Sequence, residues 1–142
     1  MKLAICTDVF ADLSYTDMLD KVKSLGIDAV EMTAGGWGAR KHCNTAELLA
    51  DEGKRKEFMG ELEKRGMRIS ALNTSCNPLW PSKTGEEYKK SMYDCATLAG
   101  LLGVKKIVAM AGLPAGNETD TTPNWITSTV SWPDFDGFSY MK

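Results

Sequence analysis

The chain has 142 residues, of which 43% are hydrophobic and 25% charged, and its formal net charge is -2 at pH 7. This length predicts a single domain over residues 1–142, and the composition is typical of a globular protein, which excludes disorder as the main state. The slightly acidic balance argues against a nucleic-acid partner, and no apolar run approaches the ~20 residues of a membrane helix. Since the first residues also lack a signal-peptide pattern, we expect a cytoplasmic protein with no membrane partner.

Three segments of the chain repeat one pattern, a glycine followed by an apolar residue, two further residues and a short apolar run. The glycines are Gly26, Gly66 and Gly103. A glycine directly after a helical pattern is expected at a left-handed helix end, where a Cβ would clash. Each pattern therefore predicts a helix that ends near the glycine and a buried strand that follows it. Together with the start of the chain, this gives four predicted strands, at residues 3–6, 29–32, 69–72 and 107–110.

Helices are predicted between these strands from apolar residues spaced along one face and from capping residues. Ser14 with Asp17 matches a capping box at the start of the first helix, and Thr84 is the expected cap of the last one. The middle helical segment is predicted in two pieces, with Asn44 as the cap of the first and an interruption at Gly53.

The predicted order β-α-β-α-β-α-β indicates an α/β fold with a parallel sheet and right-handed crossovers. The helix-to-strand turns are short, whereas the strand-to-helix loops are long, at residues 7–13, 33–43, 73–83 and beyond Ala111. Ligands of such sheets bind at the carboxyl ends of the strands. We therefore expect the functional site among these long loops.

Two architectures fit this order. A doubly wound sheet normally carries a glycine-rich phosphate loop after its first strand, and no such motif is present, which argues against nucleotide binding. A (β/α)8 TIM barrel fits better, but a barrel takes about 250 residues. The chain is therefore predicted to form about four β/α units of a barrel, a half-barrel. A small doubly wound binding domain stays open as the alternative, with residues 127–132 as a further short strand.

The four cysteines form no C-x-x-C pair and match no zinc-ribbon spacing. We interpret them as free thiols. His42 and Cys43 could donate two metal ligands, but one adjacent pair is also what an ordinary loop contains.

Several of these segments resemble the xylose-isomerase-like TIM barrels, a family of sugar and sugar-phosphate isomerases and epimerases. The likeness is carried by residues 2–8, 26–31, 69–73 and 101–108, by Asn-Pro-Leu-Trp-Pro at 77–81 and by Pro-Asn-Trp at 123–125. It extends to about residue 133 and corresponds to the amino-terminal half of such a barrel.

The resemblance implies action on a carbohydrate or keto-sugar by metal-assisted proton transfer next to a carbonyl. It also implies a divalent metal, most often manganese, whose ligands lie at the ends of strands five to eight and match no position here. We therefore expect no metal ligands in this chain and no tight metal binding by the chain alone. Trp80 stands where many relatives have a histidine.

The candidate substrate-binding residues are hydrogen-bonding or aromatic side chains at strand ends and in the long loops. They are Glu31, Trp37, His42, Asn73, Trp80, Asn124 and Trp125. For Glu31 the alternative is a salt bridge at the barrel end, for His42 an exposed loop position, and for the asparagines a turn. For the tryptophans the alternative is mutual packing as a lid. If a sugar site exists, Glu31, His42, Asn73 and Trp80 should converge at the barrel mouth.

A non-catalytic chain that needs a partner to supply strands five to eight is the competing interpretation of the function. Four strands of a barrel leave the first and the last with an unpaired edge, which invites pairing with another chain. We therefore predict a homo-oligomer or a complex with a complementing chain. Sedimentation velocity is expected to show a species larger than the monomer, and a compact monomer with a cooperative melt would contradict this prediction.

Overall fold

The computed structural model describes residues 2–80, 82–112, 117 and 119. The strands are β1 (Ile5–Cys6), β2 (Ala29–Thr33), β3 (Arg68–Asn73) and β4 (Ile107–Val108), and a 3-10 helix, Thr7–Phe10, follows β1. The helices are α1 (Tyr15–Ser24), α2 (Thr45–Ala50), α3 (Glu52–Lys64) and α4 (Lys83–Leu102). Within these ranges, no helix combines the length and the apolar character that a membrane crossing requires.

The strands form one sheet in the order β1-β2-β3-β4, and every neighbouring pair is parallel. This confirms the predicted α/β class and parallel sheet. A doubly wound sheet reverses its strand order at a switch point. Because the order of the described strands follows the chain without a reversal, it favours the barrel-type arrangement over the doubly wound alternative.

One apolar core fills the space between the sheet and the helices. Its fully buried members come from α1, α3 and α4 and from the two central strands, and include Met18, Leu19, Val22, Val30, Met32, Leu62, Leu72 and Leu98. Since side chains alternate along a strand, Glu31 and Thr33 of β2 face the other side of the sheet. The helices thus cover one face, and the opposite face is where polar side chains appear.

Glycine turns connect each helix to the next strand, as the repeated pattern predicted. Gly26, Gly66 and Gly103 have φ angles of 75°, 61° and 69°, in the left-handed region that favours glycine. These turns are tight, so the connections at the amino ends of β2, β3 and β4 are short. The long loops that follow β1, β2 and β3 lie at the other end of the sheet.

The predicted caps of α1 and α2 are confirmed, but the predicted cap of α4 is wrong. The side chain of Ser14 accepts a hydrogen bond from the Asp17 amide, and that of Asn44 accepts one from the Glu47 amide. Helix α4 instead begins at the residue after Ser82, whose extended backbone places its hydroxyl 3.2 Å from the Gly85 amide.

The early start of α4 has a steric reason. A Cβ at Gly85 would overlap the carbonyl oxygen of Trp80, so the first helical turn packs directly on the preceding loop only because position 85 lacks a side chain. Thr84 lies inside this turn and not before it.

The interruption in the middle segment lies at Asp51 and not at Gly53. Asp51 is extended (φ -125°, ψ 116°) and its carboxylate accepts a hydrogen bond of 3.0 Å from the Lys54 amide, so it ends α2 and begins α3. The outer strands β1 and β4 are shorter than predicted. Within the described sheet each pairs on one side only, and less of its backbone is therefore held in a ladder.

All four cysteines are free thiols, as predicted. Cys43, Cys76 and Cys95 are buried, whereas Cys6 is half-buried. Burial raises the pKa of the Cys43 and Cys95 thiols to about 11, so both stay protonated at neutral pH.

Replacing the observed and the expected cap of α4 separates the two assignments. We expect Ser82→Ala to lower the free energy of unfolding by about 1 kcal/mol, because the Gly85 amide loses its acceptor. Thr84→Ala is the matched control and should leave stability nearly unchanged. Urea denaturation measures both, and a larger loss for Thr84→Ala would contradict the assignment.

Candidate functional site

Strands β2 and β3 pair in register except at one bulge. Val30 lies opposite Ile69, but the next residue, Glu31, lies opposite Ala71, so Ser70 is an extra residue in β3. The Ser70 hydroxyl donates a hydrogen bond of 2.9 Å to the carbonyl oxygen of Val30. This bond supplies a partner to a backbone carbonyl where the ladder is interrupted.

The bulge changes which residues of β3 share a face. Ile69 and Leu72 both pack on the helix side of the sheet, although residues three apart in a regular strand point to opposite sides. Asn73, the partner of Thr33, is consequently on the other face, together with Ala71. Without the extra residue, Asn73 would share the face of Ile69 and point into the core.

Glu31 and Asn73 are hydrogen-bonded to each other at the carboxyl ends of β2 and β3, and we call them the strand-end pair. The Asn73 side-chain nitrogen Nδ2 donates to Glu31 Oε1 over 2.6 Å. The amide of Ser75 donates to Asn73 Oδ1 over 2.8 Å. These two bonds fix the orientation of the Asn73 amide. The bond from Ser75 is a turn interaction, the alternative role that the sequence suggested for Asn73.

Within the described residues, the second carboxylate oxygen of Glu31, Oε2, accepts no hydrogen bond, and no lysine or arginine pairs with this side chain. Glu31 is half-buried, so its carboxylate is partly shielded but still reachable by solvent. Within the described part of the chain, Glu31 therefore does not form the salt bridge that was the alternative interpretation of this residue. The pair offers one oriented amide and one available carboxylate oxygen.

The second loop, between β2 and α2, lies over the strand ends. The Trp37 amide donates a hydrogen bond of 3.0 Å to the carbonyl of Ser75. At Gly38 a Cβ would overlap the Thr33 methyl group and lie 2.6 Å from Asp8 Oδ2. The loop can thus approach the ends of β1 and β2 this closely because position 38 is glycine.

Trp37 and Trp80 both lie next to α4. The Trp37 ring meets the Tyr88 ring edge to face, with centroids 6.1 Å apart and an interplanar angle of 87°. Trp80 is half-buried, and its amide donates to the Asn77 carbonyl over 3.3 Å in the turn that leads to Ser82. Whether either ring contacts a substrate stays a prediction.

His42 lies in a different environment from the strand-end pair. Its side chain is 6% exposed, and its Nε2 atom is 3.1 Å from the carbonyl oxygen of Leu13 in the first loop. It lines a pocket among α1, α2 and α3, on the helix side of the sheet. The expected convergence is therefore seen for Glu31 and Asn73, whereas the second loop carries His42 outward. Asn124 and Trp125, like residues 127–132, lie outside the described residues.

Ser70 is the residue that the sequence analysis missed. Its signal was weak but present, because two apolar residues that are three apart, Ile69 and Leu72, do not fit the alternation of a regular strand. Asp8, which follows the first predicted strand, lies beside Gly38 at the strand ends, as does Thr33, the last residue of β2.

Within residues 2–80 and 82–112, no three His, Cys, Asp or Glu side chains are grouped so that they could share a metal ion. The described residues therefore do not supply a site that fits the divalent metal which the resemblance implies.

Comparison with known proteins gives one close relative in sequence. The chain is 52% identical over 133 residues to YfiH, an uncharacterised protein of Bacillus subtilis (strain 168). The match covers 94% of this chain and 42% of YfiH. No family model matches the sequence.

A solved structure shows the same type of fold. The crystal structure of AsbF from Bacillus anthracis, a probable 3-DHS dehydratase involved in petrobactin synthesis, superposes with a TM-score of 0.56 at 20% identity. It covers 80% of this chain and 39% of AsbF. The chain is thus a mixed α/β protein similar to a TIM-barrel-type protein, and it spans about two fifths of the length of both proteins.

The strand-end hydrogen bond can be measured by a double-mutant cycle. We expect Glu31→Ala and Asn73→Ala to be coupled by about 1.5–3 kcal/mol in the free energy of unfolding, because the acceptor is a carboxylate oxygen. Paired with Asn73→Ala, the exposed Glu63→Ala should be additive. Coupling no larger than that of this control would contradict the assigned contact.

Proposed function

We propose that this chain contributes the carbohydrate-binding face of a sugar or sugar-phosphate isomerase or epimerase. The observation that carries the proposal is the strand-end pair, in which Asn73 Nδ2 and Glu31 Oε1 are 2.6 Å apart at the carboxyl ends of neighbouring parallel strands. This end of a parallel sheet is where α/β proteins bind their ligands.

The pair suits a hydroxylated substrate. Glu31 Oε2 can accept a hydrogen bond from a hydroxyl group, and a hydrogen bond to a carboxylate is among the stronger ones that a neutral ligand can make. Asn73 holds the carboxylate in place, so little side-chain freedom is lost when a ligand binds. Asp8, a half-buried carboxylate beside Gly38 at the strand ends, is proposed as a second acceptor for a sugar hydroxyl.

The reaction that we propose is proton transfer at a carbon next to a carbonyl in a carbohydrate or keto-sugar. In this reaction, we propose that Glu31 and Asn73 bind and orient the substrate. Trp37, Trp80, Asn124 and Trp125 are proposed as further contacts of the same substrate.

A second candidate function is supported by the outer strand β4. Ile107 and Val108, its two residues, are 41% and 37% exposed, and β4 pairs only with β3 among the described strands. Apolar residues on such an edge favour association with another polypeptide. We propose a complementing chain or a second copy of this chain as the partner.

Isothermal titration of the full chain with D-xylose and D-fructose tests the proposed site. Glu31→Gln is expected to weaken binding about tenfold, equivalent to about 1.4 kcal/mol, because the charged acceptor becomes a neutral amide. Glu63→Gln, an exposed change on α3, is the matched control and should bind as the unmodified chain does. Equal affinities for Glu31→Gln and the control, or no binding of either sugar, would contradict the proposed site.

A further inference from the structure

The large apolar side chains that stay exposed are confined to the two outer parts of the sheet. Within the described residues, three of them, Leu3, Val9 and Leu25, lie around β1 and α1, and the remaining five lie between residues 79 and 108, around α4 and β4. In the described chain between residues 26 and 78, no large apolar side chain is exposed. Single surface apolar residues are ordinary, but a set confined to two edges indicates surfaces that another polypeptide covers. We call residues 3–25 the first unit and residues 79–108 the last unit.

The same two units carry the outer strands. Among the described strands, β1 pairs only with β2, and β4 pairs only with β3. Each outer strand therefore has one side on which no described strand takes up its backbone amides and carbonyls. Such an edge, next to exposed apolar side chains, is suited to the addition of a strand from another chain.

The last unit contains a groove of about 360 Å³ between α4 and β4. Met92, Tyr93 and Ala96 of α4 and Ile107 of β4 are among the residues that line it. Ile107 is the partner of the core residue Leu72, so its side chain is on the helix side of the sheet. The groove is therefore where helix-side residues of a strand added beside β4 would pack.

The first unit offers side chains that suit this groove. Ile5 of β1 packs on the core at the helix side, and Leu3 is two residues before it, so an extended chain places Leu3 on the same side. Leu3 is 59% exposed, and Leu25, directly after α1, is 53% exposed. If β1 of a second copy lay beside β4, its Leu3 would share a face with Ile107.

A second copy could use these edges in two ways, and the exposed residues favour one of them. A two-fold axis perpendicular to the strands would pair β4 with β4 of the second copy and leave Leu3, Val9 and Leu25 uncovered. A two-fold axis along the strands pairs β4 with β1 of the second copy and β1 with its β4. All strands then stay parallel, and both outer units are covered.

The second arrangement also has the size and shape of a barrel. Two copies contribute eight parallel strands, and two chains of 142 residues lie within the roughly 200–400 residues that eight-stranded α/β barrels take. The superposition on AsbF supports this, because the chain covers about two fifths of that TIM-barrel-type protein and so leaves an arc of the sheet for further strands.

We propose that two copies of this chain close one eight-stranded parallel barrel about a two-fold axis that runs along the barrel. The occupant of each edge is a second copy because one chain carries both halves of the contact. The proposal rests on the association proposed for β4, and it adds β1 as the surface that β4 meets. Since all strands run in the same direction, the strand-end pairs of both copies lie at one mouth, and the assembled site contains two Glu31 carboxylates.

Two substitutions at exposed positions test this arrangement. Leu25→Lys changes only the first unit, and Tyr93→Glu, at a side chain that is 74% exposed, changes only the last unit. Each should weaken dimerisation about a hundredfold, because the two-fold axis repeats the change and each buried charge costs at least about tenfold in affinity. Glu63→Lys, exposed on α3, is the matched control and should dimerise as the unmodified chain does. Sedimentation equilibrium measures these affinities, and circular dichroism checks that each variant is folded.

A mixture of the two variants should recover the dimer. A mixed pair has one contact in which both units are unmodified and one in which the introduced charges are opposite, whereas neither variant alone has an unmodified contact. Native mass spectrometry separates the mixed pair from the two other pairs by mass. Leu3→Lys is a second variant of the first unit and should behave in the mixture as Leu25→Lys does.

Four results would overturn the proposal. The unmodified chain could be a monomer, as expected if its edges are covered within one chain, or it could form open polymers that grow with concentration. The dimer could also survive both Leu25→Lys and Leu3→Lys, or the mixture could associate no better than either variant alone. A dimer that is lost only with Tyr93→Glu would leave the association at β4 standing and reject the closed barrel, so the two proposals can fail separately.

Discussion

The extra residue in β3 determines which side chains of this strand face the core and which lie beside Glu31. A strand has a side-chain period of two, so a shift of one residue moves every later side chain to the opposite face. At Ser70 this shift lets Ile69 and Leu72 pack in the same core and brings Asn73 out beside Glu31. The hydrogen bond from the Ser70 hydroxyl to the Val30 carbonyl stabilises this irregularity, because a buried carbonyl without a partner would destabilise the fold.

The loops depend on that arrangement. The amide of Ser75 is held by the Asn73 side chain, and the carbonyl of Ser75 in turn accepts the Trp37 amide. The second and third loops are thereby joined at the strand ends. Gly38 then allows the second loop to lie against Thr33 and Asp8, and the same loop continues to His42 on the helix side. A side-chain contact made in the sheet thus also helps to fix the backbone of the second loop at the strand ends.

Local signals predicted a large part of this fold. Gly26, Gly66 and Gly103 were recognised because a left-handed turn requires a residue without Cβ, whatever the surrounding structure is. Ser14 and Asn44 were recognised as caps for a similarly local reason. The type of sheet followed from the alternation of strands and helices, which limits the possible connections.

The features that were missed depend on contacts between distant residues. Ser82 caps α4 because Gly85 has to pack on the Trp80 carbonyl, and nothing in the apolar spacing of α4 contains that information. Likewise, His42 was expected at the barrel mouth because its loop follows β2. The ring instead reaches the Leu13 carbonyl, and a sequence pattern does not state which way a long loop folds.

The buried thiols give this chain a set of internal reporters. Cys43, Cys76 and Cys95 are between 0% and 1% exposed, and only the thiolate reacts readily with an alkylating reagent. Each of them becomes reactive only when the structure around it opens, whereas Cys6 is half-buried in the native state. The rates of alkylation at the three buried positions therefore measure the opening free energies of the second loop, the third loop and α4 separately, without any added label.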